Sequence, residues 1–142
     1  MTIGRIIANR QQDIVRCSPE TTVREAARLL AERRIGALPV LGGDEVVGIF
    51  SERDLLYCVA RDGEAVLDWT VSQVMTAPAI TVDPSTSAIE AAALMTKRRI
   101  RHLPVIENGR LVAFVSIGDI VKYRLEMIES EAQAMRDYIR TA

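Results

Sequence analysis

Two serines in this chain each stand three residues before an aspartate, straight after an apolar run. They are Ser51 and Asp54 in GIFSERD, and Ser116 and Asp119 in AFVSIGD. A serine at a strand end and an aspartate in the first turn of the next helix point into one crevice. The carboxylate can accept two hydrogen bonds, which suits a pair of vicinal hydroxyls. The serine hydroxyl and the free amides of the helix start suit a phosphate, helped by the helix dipole. Arg53 adds a fixed cation capable of charge-assisted bonds to phosphate oxygens, whereas Gly118 stands at the matching place. A structural reading competes: each serine caps its helix, and each aspartate sits in the first turn for dipole reasons.

The elements that must position these residues come from an internal repeat. At an offset of 65 residues, SPETTVREAARLLAERRIGALPVLGGDEVVGIFSERD falls on DPSTSAIEAAALMTKRRIRHLPVIENGRLVAFVSIGD without a gap. The identities include Pro19/Pro84, Glu25/Glu90, Arg33/Arg98, Ile35/Ile100, Pro39/Pro104, Ser51/Ser116 and Asp54/Asp119. Two copies at this period read as a closed pair and not as a solenoid.

Each copy predicts the order β-α-β-β-α, a mixed α/β unit. A short strand (DIVRCS, PAITVD) leads to a helix capped by Thr21 or Thr22, and by Ser85 or Ser87. The helices VREAARLLAERR and AIEAAALMTKRR carry apolar residues at helical spacing. Hairpins ALPVL/VVGIFS and HLPVI/LVAFVS follow, the second turned by Asn108-Gly109, whose types favour positive φ. Each hairpin runs into a second helix. The expected division is repeat 1 with the N-terminal segment over 1–62, a linker over 63–78, repeat 2 over 79–125 and a helical extension over 126–142. The linker is expected to hold a short helix, WTVSQVM, with Trp69 as an anchor. Along the last helix Val121, Leu125, Ile128, Ala132, Met135 and Ile139 alternate by four and three. That stripe either covers the domain's own sheet or pairs with a second copy. The doublets Arg33-Arg34 and Arg98-Arg99 close their helices and read as solvated ends that favour the dipole.

Composition narrows the function classes. A chain of 142 residues can bury about 70% of its unfolded surface and needs no metal or disulfide to fold. The net charge of −1 argues against general nucleic-acid binding. No apolar run approaches the length of a membrane span, and the first residues lack the apolar region of a signal peptide. Cys17 and Cys58 form no C-x-x-C and point to reduced thiols in a cytoplasm. One histidine, no G-x-S-x-G, no Walker-type loop and no metal-ligand spacing argue against an enzyme and against a metal site.

Taken together, RRIGALPVL…VVGIFSERDLL and RRIRHLPVI…LVAFVSIGDIV, with their SP…TTV and DP…TSA entries, resemble the cystathionine-β-synthase (CBS) domain family. The arrangement is that of a tandem pair, a Bateman module, over roughly residues 10–125. The resemblance implies two repeats about a pseudo-twofold axis and two clefts that hold adenosine ligands: AMP, ADP, ATP, NAD(H) or S-adenosylmethionine. In the first cleft it implies Asp54 on the ribose, Ser51 and Arg53 toward phosphate, and Ile49 against adenine. Thr76, Ala79, Ile80 and the backbone of Ile100, Arg101 and His102 come from the other copy. The second cleft would use Asp119, Ser116 and Phe114 with Asp13, Val15, Ile35, Gly36 and Ala37. Arg101 and His102 can also turn toward phosphates. The implied function is non-catalytic sensing of an energy or redox state by a homodimer that regulates an unknown protein. The alternative is a ligand-free dimerisation module acting on a partner.

Overall fold

The computed structural model describes residues 1–8 and 13–141. The elements are α1 (Ile3–Ile7), α2 (Val23–Arg33), β1 (Ala37–Gly42), β2 (Glu45–Ser51), α3 (Glu52–Asp62), α4 (Ala88–Arg98), β3 (His102–Glu107), β4 (Arg110–Ser116) and α5 (Ile117–Thr141). β1 pairs with β2 and β3 with β4, both antiparallel and both with a register shift at the same repeat position. The second hairpin turns through Asn108 and Gly109 at φ 53° and 76°, the primed geometry that the dipeptide favours.

The strand expected before each first helix shrinks to a single parallel bridge, Cys17 to Val40 and Val82 to Val105. Cys17 N donates to Pro39 O, and Leu41 N donates back to Cys17 O; Val82 makes the same pair of bonds with Pro104 and Ile106. Pro19 and Pro84 follow two residues later and have no N–H with which to extend the ladder. Of the possible caps, Thr22 accepts from Glu25 N at 3.1 Å and Ser87 from Glu90 N at 3.0 Å. The linker does not form the expected helix. It makes two 3-10 turns, Glu64–Asp68 and Val71–Gln73, which hold Trp69 between them.

Each repeat has its own apolar core. Val23, Leu30, Leu38, Val40 and Phe50 fill the first; Ala91, Met95, Leu103, Val105 and Val115 fill the second. The cores are completed by exchange. Val71 of the linker is fully buried in the first, with Trp69 packed against it. The N-terminal segment, grouped with repeat 1 by its place in the chain, packs into repeat 2. Ile3 and Ile6 lie in the second core, and Ile3 N donates to Thr86 O at 2.8 Å.

The first turns of α5 dock on the second core through Ile117, Ile120 and Tyr123. The stripe Val121, Leu125, Ile128, Met135 and Ile139 is exposed, so it does not cover the chain's own sheet. Among the described residues no helix is long and apolar enough to cross a membrane.

Candidate functional site

Ser51 ends β2 in extended backbone, φ −118° and ψ 163°, and caps α3. Its hydroxyl accepts from Asp54 N at 3.2 Å and donates to Asp54 Oδ2 at 3.0 Å, while Ser51 N donates to the same oxygen at 2.9 Å. The repeat reproduces the device: Ser116 N donates to Asp119 Oδ2 at 2.7 Å, and Asp119 N donates to Ser116 Oγ at 3.1 Å. The capping reading therefore holds at both stations. Whatever else the aspartates do must use the lone pairs that remain.

Asp54 turns its other oxygen outward. Thr76 Oγ1 donates to Asp54 Oδ1 at 2.9 Å, from a segment that pairs with the edge of β2. Ile49 N donates to Thr76 O and Thr76 N to Ile49 O, both at 2.9 Å. Gly48 allows this approach, since a Cβ there would stand 2.7 Å from Met75 Sδ and 2.9 Å from Thr76 O. Ala113 occupies the same place in repeat 2 and is buried.

These contacts open a cavity of about 370 Å³ between the repeats, within the size range of small-ligand sites. All ten residues expected in the first cleft line it: Ile49, Ser51, Arg53, Asp54, Thr76, Ala79, Ile80, Ile100, Arg101 and His102. Gly36 and Ala37, expected in the second cleft, line it too. Half-buried Ile49, Ala79, Ile80 and Ile100 supply apolar walls. Pro78, inside the expected stretch from Thr76 to Ile80, lines it as well, whereas Glu52, Tyr57, Arg98 and Arg99 were not foreseen there. Tyr57 follows Asp54 by three positions, and helical spacing alone puts it on the same face.

Arg98 and Arg99, read as solvated ends, are exposed yet belong to this cleft. Arg99 takes the left-handed conformation that ends α4, φ 55°, and its carbonyl accepts from Arg53 Nη1 at 2.9 Å. Arg101 Nη2 lies 3.2 Å from Glu52 Oε1, a second bond between the repeats.

The residues expected in the second cleft are more dispersed. Ile35, Gly36 and Ser116 line an open groove of about 440 Å³ with Arg34 and Ile117. Val15 packs against the first core, Asp13 is exposed and Asp119 is half-buried. Phe114 stacks on His102, with ring centroids 5.3 Å apart and planes at 16°. Burial, and then the nearby Arg101 charge, hold the His102 pKa below its ordinary range. Burial also raises the Cys17 thiol to about 11 and raises Cys58.

The CBS domain profile matches residues 4–61 and 71–126, most of the chain and both repeats. The chain belongs to the CBS domain family. This CBS pair is 38% identical to a CBS-domain containing protein of Agrobacterium tumefaciens, with a TM-score of 0.82 over 87% of this chain and 99% of that one. It is 35% identical over 87% of its length to the mitochondrial CBS domain-containing protein CBSX3 of Arabidopsis thaliana, of which it spans 63%. A third relative is CBSX2 of Arabidopsis thaliana, solved in complex with AMP. It is 28% identical with a TM-score of 0.76, and the match covers 89% of this chain and 97% of that one. The pair also matches an inosine-5'-monophosphate dehydrogenase of Korarchaeum cryptofilum at 38% identity over 89% of this chain, but spans only 24% of that enzyme.

Proposed function

We propose that this CBS pair is a non-catalytic regulatory module that holds an adenosine ligand in the cleft around Asp54. The observation that carries the reading is one cavity with three kinds of wall. A carboxylate sits on a rigid helix start, Ile49, Ile80 and Ile100 give apolar faces, and arginines frame the opening. Asp54 Oδ1 would accept the ribose hydroxyls, displacing or sharing the Thr76 hydroxyl. Ile49, Ala79 and Ile80 would sandwich the base, and Arg53 would meet phosphate. Ser51 serves by fixing Asp54. The similarity to an AMP-bound CBS pair supports the adenosine class. AMP, ADP, ATP, NAD(H) and S-adenosylmethionine are the ligands to try.

Binding would act as a switch only through unequal affinity for two states of the pair or its partner. The bonds Arg53 to Arg99 O and Arg101 to Glu52 join the repeats beside the ligand and are the natural elements to respond. The test is thermal unfolding with each adenosine compound against guanosine controls. A ligand at 100 times its Kd adds about 2.7 kcal/mol, enough for a clear upward shift. No shift at millimolar concentration overturns the reading.

A second reading rests on α5. Its exposed stripe from Val121 to Ile139 follows heptad spacing, and an isolated helical extension is marginal in water. We propose that it pairs with a second copy, whether or not the clefts fill. Leu125→Glu with Ile128→Glu is expected to convert a dimer to a monomer in sedimentation equilibrium. The buried, unpaired thiols of Cys17 and Cys58 support a reducing, cytoplasmic setting.

A further inference from the structure

The stripe on α5 has six members, Val121, Leu125, Ile128, Ala132, Met135 and Ile139, and all are exposed. Columns of charge run along both of its edges. Lys122, Glu129 and Arg136 flank one side; Arg124, Glu131 and Tyr138 flank the other. In paired helices such flanking positions meet across the seam and set partner and orientation. Among the described residues no ion pair engages Lys122, Arg124, Glu129, Glu131 or Arg136. Arg136 Nη2 donates to the neutral Gln133 Oε1 at 2.9 Å, so its charge stays unmatched within the helix.

Two alignments with a second copy oppose all six apolar residues to one another. In the parallel one each faces its own copy. Arg124 then meets the partner's Glu129, and Glu131 meets the partner's Arg136. Each contact occurs twice about the twofold axis, and all four attract. In the antiparallel one Val121 faces Ile139, Leu125 faces Met135 and Ile128 faces Ala132. Lys122 then meets Arg136, Glu129 meets Glu129 and Glu131 meets Glu131, so every charged contact repels. A shift of the antiparallel pair by one heptad, in either sense, restores attraction but opposes only four of the six apolar residues.

We infer that α5 pairs parallel and in register with α5 of a second copy, with Arg124–Glu129 and Glu131–Arg136 bonds across the seam. The inference rests on the reading that this stripe pairs with a second copy. It fixes where the two modules stand. α5 starts on the second core through Ile117, Ile120 and Tyr123. Parallel pairing therefore sets both modules, with both Asp54 clefts, side by side at one end and brings the two C-terminal ends together at the other. The 25 residues of α5 span about 37 Å, and antiparallel pairing would hold the modules at opposite ends of that length.

Sedimentation equilibrium and oxidative cross-linking of the full chain test it, with exposed side chains as the sites of change. The wild type should be a dimer. Glu129→Arg/Glu131→Arg turns the four attractive contacts of the parallel pair into repulsive ones and should weaken the dimer about a hundredfold. The antiparallel pair over the whole stripe would stay as like-charged as before, with its affinity unchanged. Adding Arg124→Glu/Arg136→Glu to the same chain re-forms the parallel contacts with reversed sign and should restore the dimer. Ile139→Cys should form an interchain disulfide on mild oxidation, because parallel pairing sets the two thiols opposite each other. Whole-stripe antiparallel pairing holds them about 27 Å apart along the helix. The wild type, whose Cys17 and Cys58 are buried, should not cross-link. A dimer indifferent to the double reversal, a dimer in which Ile139→Cys gives no disulfide, or an assembly larger than two overturns the parallel pair and leaves pairing through α5 standing. A monomeric wild type, or a dimer that Leu125→Glu with Ile128→Glu does not dissociate, overturns both.

Discussion

The Asp54 cleft and the Asp119 station are built on the same device, and they differ in nearly everything around it. Both use a serine cap closed by an aspartate three residues on, with hydrogen bonds that match to within a few tenths of an ångström. Around that frame, Arg53 faces Gly118 across the repeat, Arg101 faces Gly36, Gly48 faces Ala113 and His102 faces Ala37. Arg53 and Gly48 distinguish the first cleft, whereas Arg101 and His102 line both it and the groove beside Ser116. The first cleft has more arginines in its lining, and only there does a glycine leave room for Met75 and Thr76 to close against β2. The positions that hold the helix start have stayed alike, while several positions that line the cleft have diverged. A duplicated chain separates in this way what the fold requires from what one site requires.

The comparison can be broken most directly at the two aspartates. Asp54→Ala should weaken adenosine-ligand binding about a hundredfold, two bonds to a charged group at about 1.5 kcal/mol each. Asp119→Ala should leave that binding in place. Both variants lose the carboxylate that closes the helix start, about 1 kcal/mol of stability each, and Asp54→Ala also releases the Thr76 hydroxyl, so the two are titrated side by side well below their unfolding midpoints. Equal loss of affinity would end the distinction between the clefts.

A somewhat smaller effect is expected at Gly48. Its alanine variant sets a methyl against the Met75 thioether, which can move, and the Thr76 carbonyl, which is tied into a bridge. Overpacking of this kind costs about 1–3 kcal/mol, measurable by denaturant unfolding. Ala113→Gly, its converse, should cost only about 0.5–1 kcal/mol through backbone entropy. The smallest effect belongs to His102. Its folded pKa lies below the ordinary 6.5 because of burial and then Arg101. The unfolded chain therefore takes up this proton first as pH falls, so the contribution to stability is full above 6.5 and is lost as pH drops toward the folded pKa. Thermal midpoints across that range should fall in the wild type and flatten in His102→Gln. Repeat 1, with Ala37 at the matching position, has no counterpart to titrate.

Much of this was legible from the chain alone, because the informative signals were local and doubled. Ser51 and Asp54 stood out through recurrence at one offset, and Asn108-Gly109 fixed its turn through backbone preference. What stayed hidden was contact between distant segments. Arg98 and Arg99 read correctly as a helix end, but no periodicity tells which cleft a helix end will border. The strands before Pro19 and Pro84 were overestimated, since β-branched residues promise a ladder that one parallel bridge cannot extend. WTVSQVM had helical apolar spacing. It settled into a 3-10 turn with Thr70 and Gln73 as capping box and Val71 in the first core.

The crossing of α1 into the second core sets an order of assembly. During synthesis the first repeat can close as soon as Val71 has emerged. The second must wait for β3, β4 and the start of α5, and then recover a helix made roughly a hundred residues earlier. Closing so long a loop adds little to the equilibrium cost, which grows only with the logarithm of length, but non-local contacts of this kind slow folding. α1 is made before α2–α5 yet is the last of them to find its place, and until it does, the second repeat lacks Ile3 and Ile6 and remains an unfinished core.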